Sequence, residues 1–571
     1  MDSPSQRLSG LSPDKLALLV RGLRGRRAGG AAVRIPRLAR SEGSFHPLSF
    51  AQERLWFLDQ LDPGTATYNI AGAVEIAGAL RPDALCASLA EVVRRHEVLR
   101  TTFEPGAEPR QRVAAAAGTD LPVIDLRAVP EARRESLAAD LAGQEARRPF
   151  DLTTGPLLRT RLLQTGEKRH LLVLTVHHIV ADRWSCDLLV REIAVLYAAR
   201  TTNGSASLPG LPVQYADFAA WQRSQLTGEA LAAPLRSWRR RLEGLPPVLD
   251  LPVDRPRRPG RSAAGAQCRI ALGSALSAGL QELSRKAGAT PFLLLLAAFA
   301  GLLCRISGQK DFAIAYPVSG RTRSEIEGLI GFFVNTLLLR ADCAGDPVLA
   351  ELVGQVREAV SEALAHQDLP FERLVQELDP ERSLGQTPLA QVMLALQDQP
   401  LAVELGGLRL GLRELDTRTA KLDLLLSLGW SGGCLSGFLE YSTELFDRPT
   451  VERLLGHFEH LLGGIVTDPS RRLSELPLLG EAERRQLLEE WNATAVEYPR
   501  ESRIEELFAA QAARTPAATA LVAGSERLSY GELDHRSNRL AWHLRELGVG
   551  PEVLVGVCLE RTAELVVALL A

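Results

Sequence analysis

The stretch Leu171-Leu-Val-Leu-Thr-Val-His-His-Ile-Val-Ala-Asp182 decides the reading of the chain. Its apolar run is the pattern of a buried strand, and it ends at two histidines with an aspartate four residues past the second. Successive strand side chains point to opposite faces, so His177 and His178 do not both face one ion or one substrate. One should be structural and one should face a cleft. With no further Cys, His or carboxylate at a recognisable ligand spacing nearby, no metal site is expected. A histidine relays protons near neutral pH, and a buried carboxylate such as Asp182 needs a cationic partner. A lone histidine at a strand end is nevertheless more often structural than catalytic, so these residues gain meaning only from their company.

Outward from this stretch, helical spacing covers Pro82 to His96, Pro130 to Arg148, Cys186 to Ala199 and Pro347 to Leu364. Short β-rich runs cover His170 to Val176, Asp311 to Tyr316 and Leu337 to Arg340. The chain is therefore α/β. A Pro-, Arg- and Trp-rich stretch from Leu208 to Arg258 reads as the crossing between two lobes of roughly 200 residues each. The expected domains are an N-lobe over about 44–220 and a C-lobe over about 221–479. A linker over 480–503 and a new unit over 504–571 follow. Residues 1–43 read as a leader, with a short helix from Leu11 to Arg24 that either docks onto an upstream protein or is simply solvated.

The 571 residues exceed one hydrophobic core. A formal net charge of −3 supplies no basic field for nucleic acid or anionic lipid. The seven cysteines are scattered without a CxxC pair, which suggests neither a disulfide framework nor a zinc knuckle and fits a reducing cytoplasm. No apolar run reaches the roughly 18–20 residues that span a bilayer, and no secretory signal is present, so neither membrane nor export is expected.

The company of the histidines is an ordered set of motifs: Leu48-Ser-Phe-Ala-Gln-Glu-Arg-Leu-Trp-Phe-Leu58, Arg95-His-Glu-Val-Leu-Arg-Thr-Thr-Phe103, His177-His-Ile-Val-Ala-Asp182, Tyr215-Ala-Asp-Phe-Ala-Ala-Trp-Gln-Arg223, Ile330-Gly-Phe-Phe-Val-Asn-Thr-Leu337 and His366-Gln-Asp-Leu-Pro-Phe-Glu-Arg373, with a weaker last one at Pro388-Leu-Ala-Gln-Val-Met393. In this order they resemble the condensation domains of nonribosomal peptide synthetases. The resemblance implies two chloramphenicol-acetyltransferase-like lobes forming a V-shaped pseudodimer with a central tunnel. It implies amide bond formation: the α-amino group of a carrier-bound acceptor aminoacyl thioester attacks a carrier-bound donor thioester. The substrates would ride on the 4'-phosphopantetheine arms of donor and acceptor peptidyl carrier proteins, with no cofactor bound by this chain.

Carried over by motif position, His178 is the residue that meets the attacking amine, His177 is structural, and Asp182 holds the loop against Arg321 of Pro317-Val-Ser-Gly-Arg321. Asn335 belongs to the tunnel-side latch. The family usually has glycine after the aspartate, whereas here Arg183 follows, then Trp184 and Ser185. These three are expected at the tunnel, with Arg183 gating or selecting the acceptor. Ala51-Gln-Glu-Arg-Leu-Trp56 and Tyr68-Asn69 are closest to members that join two L-configured units. From Ile504 onward, Leu528-Ser-Tyr-Gly-Glu-Leu-Asp534, Ser537-Asn538 and Val555-Gly-Val-Cys-Leu-Glu-Arg561 resemble the start of an adenylation domain, expected here as a truncated fragment lacking the phosphate loop. Partners would include the rest of that domain. The alternative reading is a catalytically silent platform of the same fold that recruits carriers or tailoring enzymes.

Overall fold

The computed structural model describes residues 34–40, 43–116, 118–202, 204, 207–258, 262–378, 389–397, 402–405 and 408–571. The expected leader helix and Pro388 of the last motif lie outside them. The chain divides into two compact units between Glu481 and Ala482.

Within the first unit two mixed six-stranded sheets each carry their own helices. The N-lobe sheet runs Ala402–Leu405, Leu408–Glu414, Asn69–Ala77, Arg169–His177, Leu158–Gly166, Val123–Asp125. Alternation sorts the faces of strand Arg169–His177. Leu172, Leu174 and Val176 join the core shared with helices Pro82–Arg95 and Arg183–Thr201, while Val173 packs with Ala138 and Ala142 of helix Glu131–Arg147. With both faces covered, the strand can be a continuous apolar run.

The C-lobe sheet runs Asn335–Asp342, Asp311–Val318, Val392–Gln397, Leu424–Ser431, Cys434–Ser442, Gly265–Ala271. Against it lies helix Pro291–Ser307, begun by the Thr290 hydroxyl accepting from Leu293 N–H and ended by Gly308 in the left-handed region. This helix is apolar all round because nearly all of it is buried. Among the described residues no single helix is long and apolar enough to cross a membrane.

The lobes interleave rather than follow the chain. Strand Leu408–Glu414, from beyond residue 221, pairs antiparallel with Asn69–Ala77, and Ile326, Leu329, Ile330, Phe332 and Phe333 fill the N-lobe core. Helix Tyr215–Gln225 straddles the expected 220/221 cut. Edge-strand exchange has no period of its own in sequence, so a linear division could not include it.

The second unit has a hairpin of Thr519–Ala523 and Glu526–Ser529, helices Ile504–Arg514, Tyr530–Glu546 and Ala563–Leu570, and a small core of Leu528, Leu533 and Ala563.

Candidate active site

Strand Arg169–His177 delivers the histidine pair, and the backbone separates the two. His177 is the last strand residue; its ring is 4% exposed, edge-on to Phe150 at 5.9 Å and 6.4 Å from Tyr68, and its Nδ1 accepts the Ile179 N–H at 3.2 Å. His178 opens a single 3₁₀ turn, His178–Val180, with its N–H donated to Tyr68 O at 2.8 Å. Its ring is half-buried, 4.7 Å from Phe332, with Nδ1 2.9 Å from Ala181 O. A carbonyl only accepts, so Nδ1 carries the hydrogen and the lone pair of the neutral ring lies on Nε2. Burial first, then the charge of Lys421, lowers the His178 pKa to about 3. His177 is lowered to about 3 by burial, then by His178 and Lys421. His178 is thus a neutral imidazole whose Nε2 accepts no hydrogen bond from the described residues.

Asp182 has no capacity left for a substrate. It caps helix Arg183–Thr201, accepting from Ser185 N–H at 2.8 Å and Ser185 Oγ at 2.6 Å, and its other oxygen takes Phe333 N–H at 3.0 Å. Arg321 reaches it at 3.1 Å from the C-lobe, only 2% exposed. The same guanidinium donates to Ile326 O and Leu329 O, each at 2.7 Å, and to Ser185 Oγ at 2.8 Å. Such additional bonds offset the desolvation of a buried ion pair, although among the described residues the Arg321 Nε–H has no hydrogen-bond partner. Gly320, just before Arg321, has φ +63°, and a Cβ there would sit 2.0 Å from Phe333 O, so only glycine allows this approach.

The other motifs converge on the same loop. Gln52 Nε2 donates to Ile179 O at 3.3 Å, and the Ser49 hydroxyl contacts Tyr215 OH at 2.9 Å. Tyr215 OH donates to Phe332 O at 2.6 Å. His96 Nδ1 accepts Ile330 N–H at 3.3 Å while its Nε2 stands 2.9 Å from Glu192. Asn335 Nδ2 donates to Gln367 O and Leu369 O, and its Oδ1 accepts from Phe371 N–H, stapling the His366 to Arg373 segment to a C-lobe strand. Arg54 pairs with Glu372 at 3.3 Å across the lobes.

The three residues after Asp182 part company. Ser185 is completely buried in the Asp182–Arg321 network, with its hydroxyl also 2.8 Å from Gly331 O, so it does not line a tunnel as expected. Its i+3 spacing from a capping aspartate is the signal that would have said so. Trp184 donates its indole N–H to Glu327 O at 3.1 Å. Arg183 lies 3.6 Å from Asp187 and 3.5 Å from Glu414 of the interleaved strand. Sequence reasoning missed Lys421, whose ammonium stands 5.6 Å from the Tyr68 ring centroid. Among the described residues no three His, Cys, Asp or Glu side chains are grouped to hold a metal ion.

The condensation domain family matches residues 43–488, and the AMP-binding enzyme family matches residues 508–571. The chain belongs to the condensation domain family of nonribosomal peptide synthetases, with part of an AMP-binding domain following in the same chain. It is 44% identical to a large component of the linear gramicidin synthase of Brevibacillus parabrevis, over 94% of its own length and 11% of that protein. To phosphinothricin tripeptide synthetase PhsC of Streptomyces viridochromogenes it is also 44% identical, over 100% of this chain and 53% of that protein. The chain thus spans between about a tenth and half of these relatives. Among solved structures, a holo four-domain nonribosomal peptide synthetase bound to AMP and glycine superposes with a TM-score of 0.81 at 26% identity, covering 93% of this chain and 41% of that one. The X-domain from teicoplanin biosynthesis superposes with a TM-score of 0.70 at 30% identity, covering 78% and 100%.

Proposed function

We propose that this condensation domain is active and forms an amide between a carrier-bound donor acyl or peptidyl thioester and the α-amino group of a carrier-bound acceptor. The observation that carries this is the His178 imidazole: neutral, half-buried at the junction of the lobes, with Nδ1–H spent on Ala181 O and Nε2 free to accept. The amine nitrogen attacks the thioester carbon, forming the C–N bond as the carbonyl pair moves onto oxygen. The amine proton passes to Nε2. The oxygen pair then restores the carbonyl as the C–S bond breaks, and the departing thiolate takes the proton from His178. Asp182 and Arg321 act at one remove, by holding the 3₁₀ turn that aims the ring. His177 and Asn335 are supporting residues, and Arg183 and Trp184 flank the acceptor side.

The substrates would arrive on the 4'-phosphopantetheine arms of donor and acceptor carrier proteins in the cytoplasm. An upstream synthetase would engage the N-terminal segment, and the joined units are both L-configured. A second reading, a silent recruiting platform, draws on the 31% identical X-domain solved in complex with OxyB. The intact His178 geometry favours catalysis.

A single-turnover assay with chemically loaded carriers, read by mass spectrometry, separates these. Amide from the native chain that vanishes with His178→Ala is the expected result. No amide across a varied panel of loaded carriers overturns the reading in favour of the platform.

A further inference from the structure

One cation that acts on both histidines lies on neither lobe's motif. Lys421 occupies the link between strand Leu408–Glu414, which completes the N-lobe sheet, and strand Leu424–Ser431 of the C-lobe sheet. Its ammonium stands 5.6 Å from the ring centroid of Tyr68. That tyrosine touches both histidines: its carbonyl takes the His178 N–H at 2.8 Å, and its ring lies 6.4 Å from that of His177. Lys421 is therefore tied to the reacting end of strand Arg169–His177 by a short chain of contacts.

Two carboxylates, Glu440 and Glu414, act on Lys421 at longer range. Glu440 of strand Cys434–Ser442 accepts the Lys421 backbone N–H at 3.3 Å. Glu414 is drawn instead to Arg183, at 3.5 Å. Among the described residues no carboxylate forms a close ion pair with the Lys421 ammonium. Arg54 adds a like charge at longer range, while Tyr68, His177 and His178 complete the surroundings. Burial lowers the Lys421 pKa, so its charged form is costly without a close carboxylate and is favoured when something negative visits it. The chemistry assigned to this site creates such a charge, because attack on a thioester turns the carbonyl oxygen into an oxyanion.

We infer that Lys421 is the cation that receives the carbonyl oxygen of the donor thioester, stabilising the oxyanion while His178 takes the amine proton. Glu440 and Tyr68 hold the lysine in place, and Arg183 keeps Glu414 from neutralising it. A fixed donor aimed where negative charge develops is worth far more in the transition state than in the ground state. The inference rests on the amide-forming reading above.

The test compares the native chain, Lys421→Met and Lys421→Arg in single turnover with loaded carriers, alongside thermal melting and the NMR titration of the His178 imidazole. Loss of one such donor should cut the rate constant for chemistry by on the order of 10²-fold, with carrier affinity and melting temperature near native. Arginine should restore much of the rate. The charge of Lys421 also disfavours imidazolium, so Lys421→Met should move the His178 titration upward. A native rate in Lys421→Met overturns this inference alone, as does a rate loss that merely tracks a lost fold, or a His178 titration that does not move. No amide from the native chain overturns instead the reading on which it rests.

Discussion

His177 shows how far burial dictates chemistry at a single residue. Enclosed by Phe150 and Tyr68, its ring stays neutral down to a pH of about 3, whereas in the unfolded chain it binds a proton near 6.5. Below 6.5 the unfolded state gains a proton that the folded state refuses, so stability falls as pH falls toward 3, by about 1.4 kcal/mol per unit for this one group. Urea midpoints between pH 7 and pH 4 should show a shallower decline in His177→Gln, which keeps an acceptor for Ile179 N–H but cannot titrate. Asp182 makes the complementary case. Asp182→Asn leaves Arg321 charged, buried and unpaired, which should cost about 3–5 kcal/mol in urea unfolding, and adding Arg321→Met should recover part of it. The sequence showed that a buried carboxylate needs a cation, and motif order supplied Arg321. It was silent on Lys421, because the approach of Lys421 to Tyr68 depends on how one lobe's strand crosses into the other.

At the scale of elements, tight packing and a surface ion pair predict effects of different size. Segment Ile330 to Phe333 passes so close to helix Tyr215–Gln225 that a Cβ on Gly331 would stand 2.1 Å from the Tyr215 ring, itself 1% exposed. Gly331→Ala should therefore destabilise by at least about 1–3 kcal/mol. Gly354, inside helix Leu349–Ala365 with open space where its Cβ would be, is the control: Gly354→Ala should stabilise by about 0.5–1 kcal/mol. Calorimetric melting of both variants checks the pair. Arg183 belongs to the weaker class, since it and Glu414 are 36% and 44% exposed. An exposed pair is worth about 0–1 kcal/mol, so Arg183→Gly should melt within that range of native. Any change it makes in rate or acceptor range is then local chemistry. Helices and central strands were legible because their periods are intrinsic. The pairing of Leu408–Glu414 with Asn69–Ala77 was not, since it joins segments more than 300 residues apart.

Over the whole molecule, interleaving makes the two lobes one cooperative body. Asp182 with Arg321, Ser185 with Gly331, and Arg54 with Glu372 all cross from the N-terminal to the C-terminal half, and Leu408–Glu414 completes the opposite sheet. Neither lobe can open without exposing the Asp182 network to loss of its partners, so both should melt in a single transition despite their separate sheets. The second unit follows a different rule. It has its own small core of Leu528, Leu533 and Ala563, separate from the cores of the first unit. A chain ended at Glu481 should therefore keep the main melting transition and the single-turnover rate of the full chain. A lower melting temperature or a slower rate in the shortened chain would show instead that the second unit supports the first.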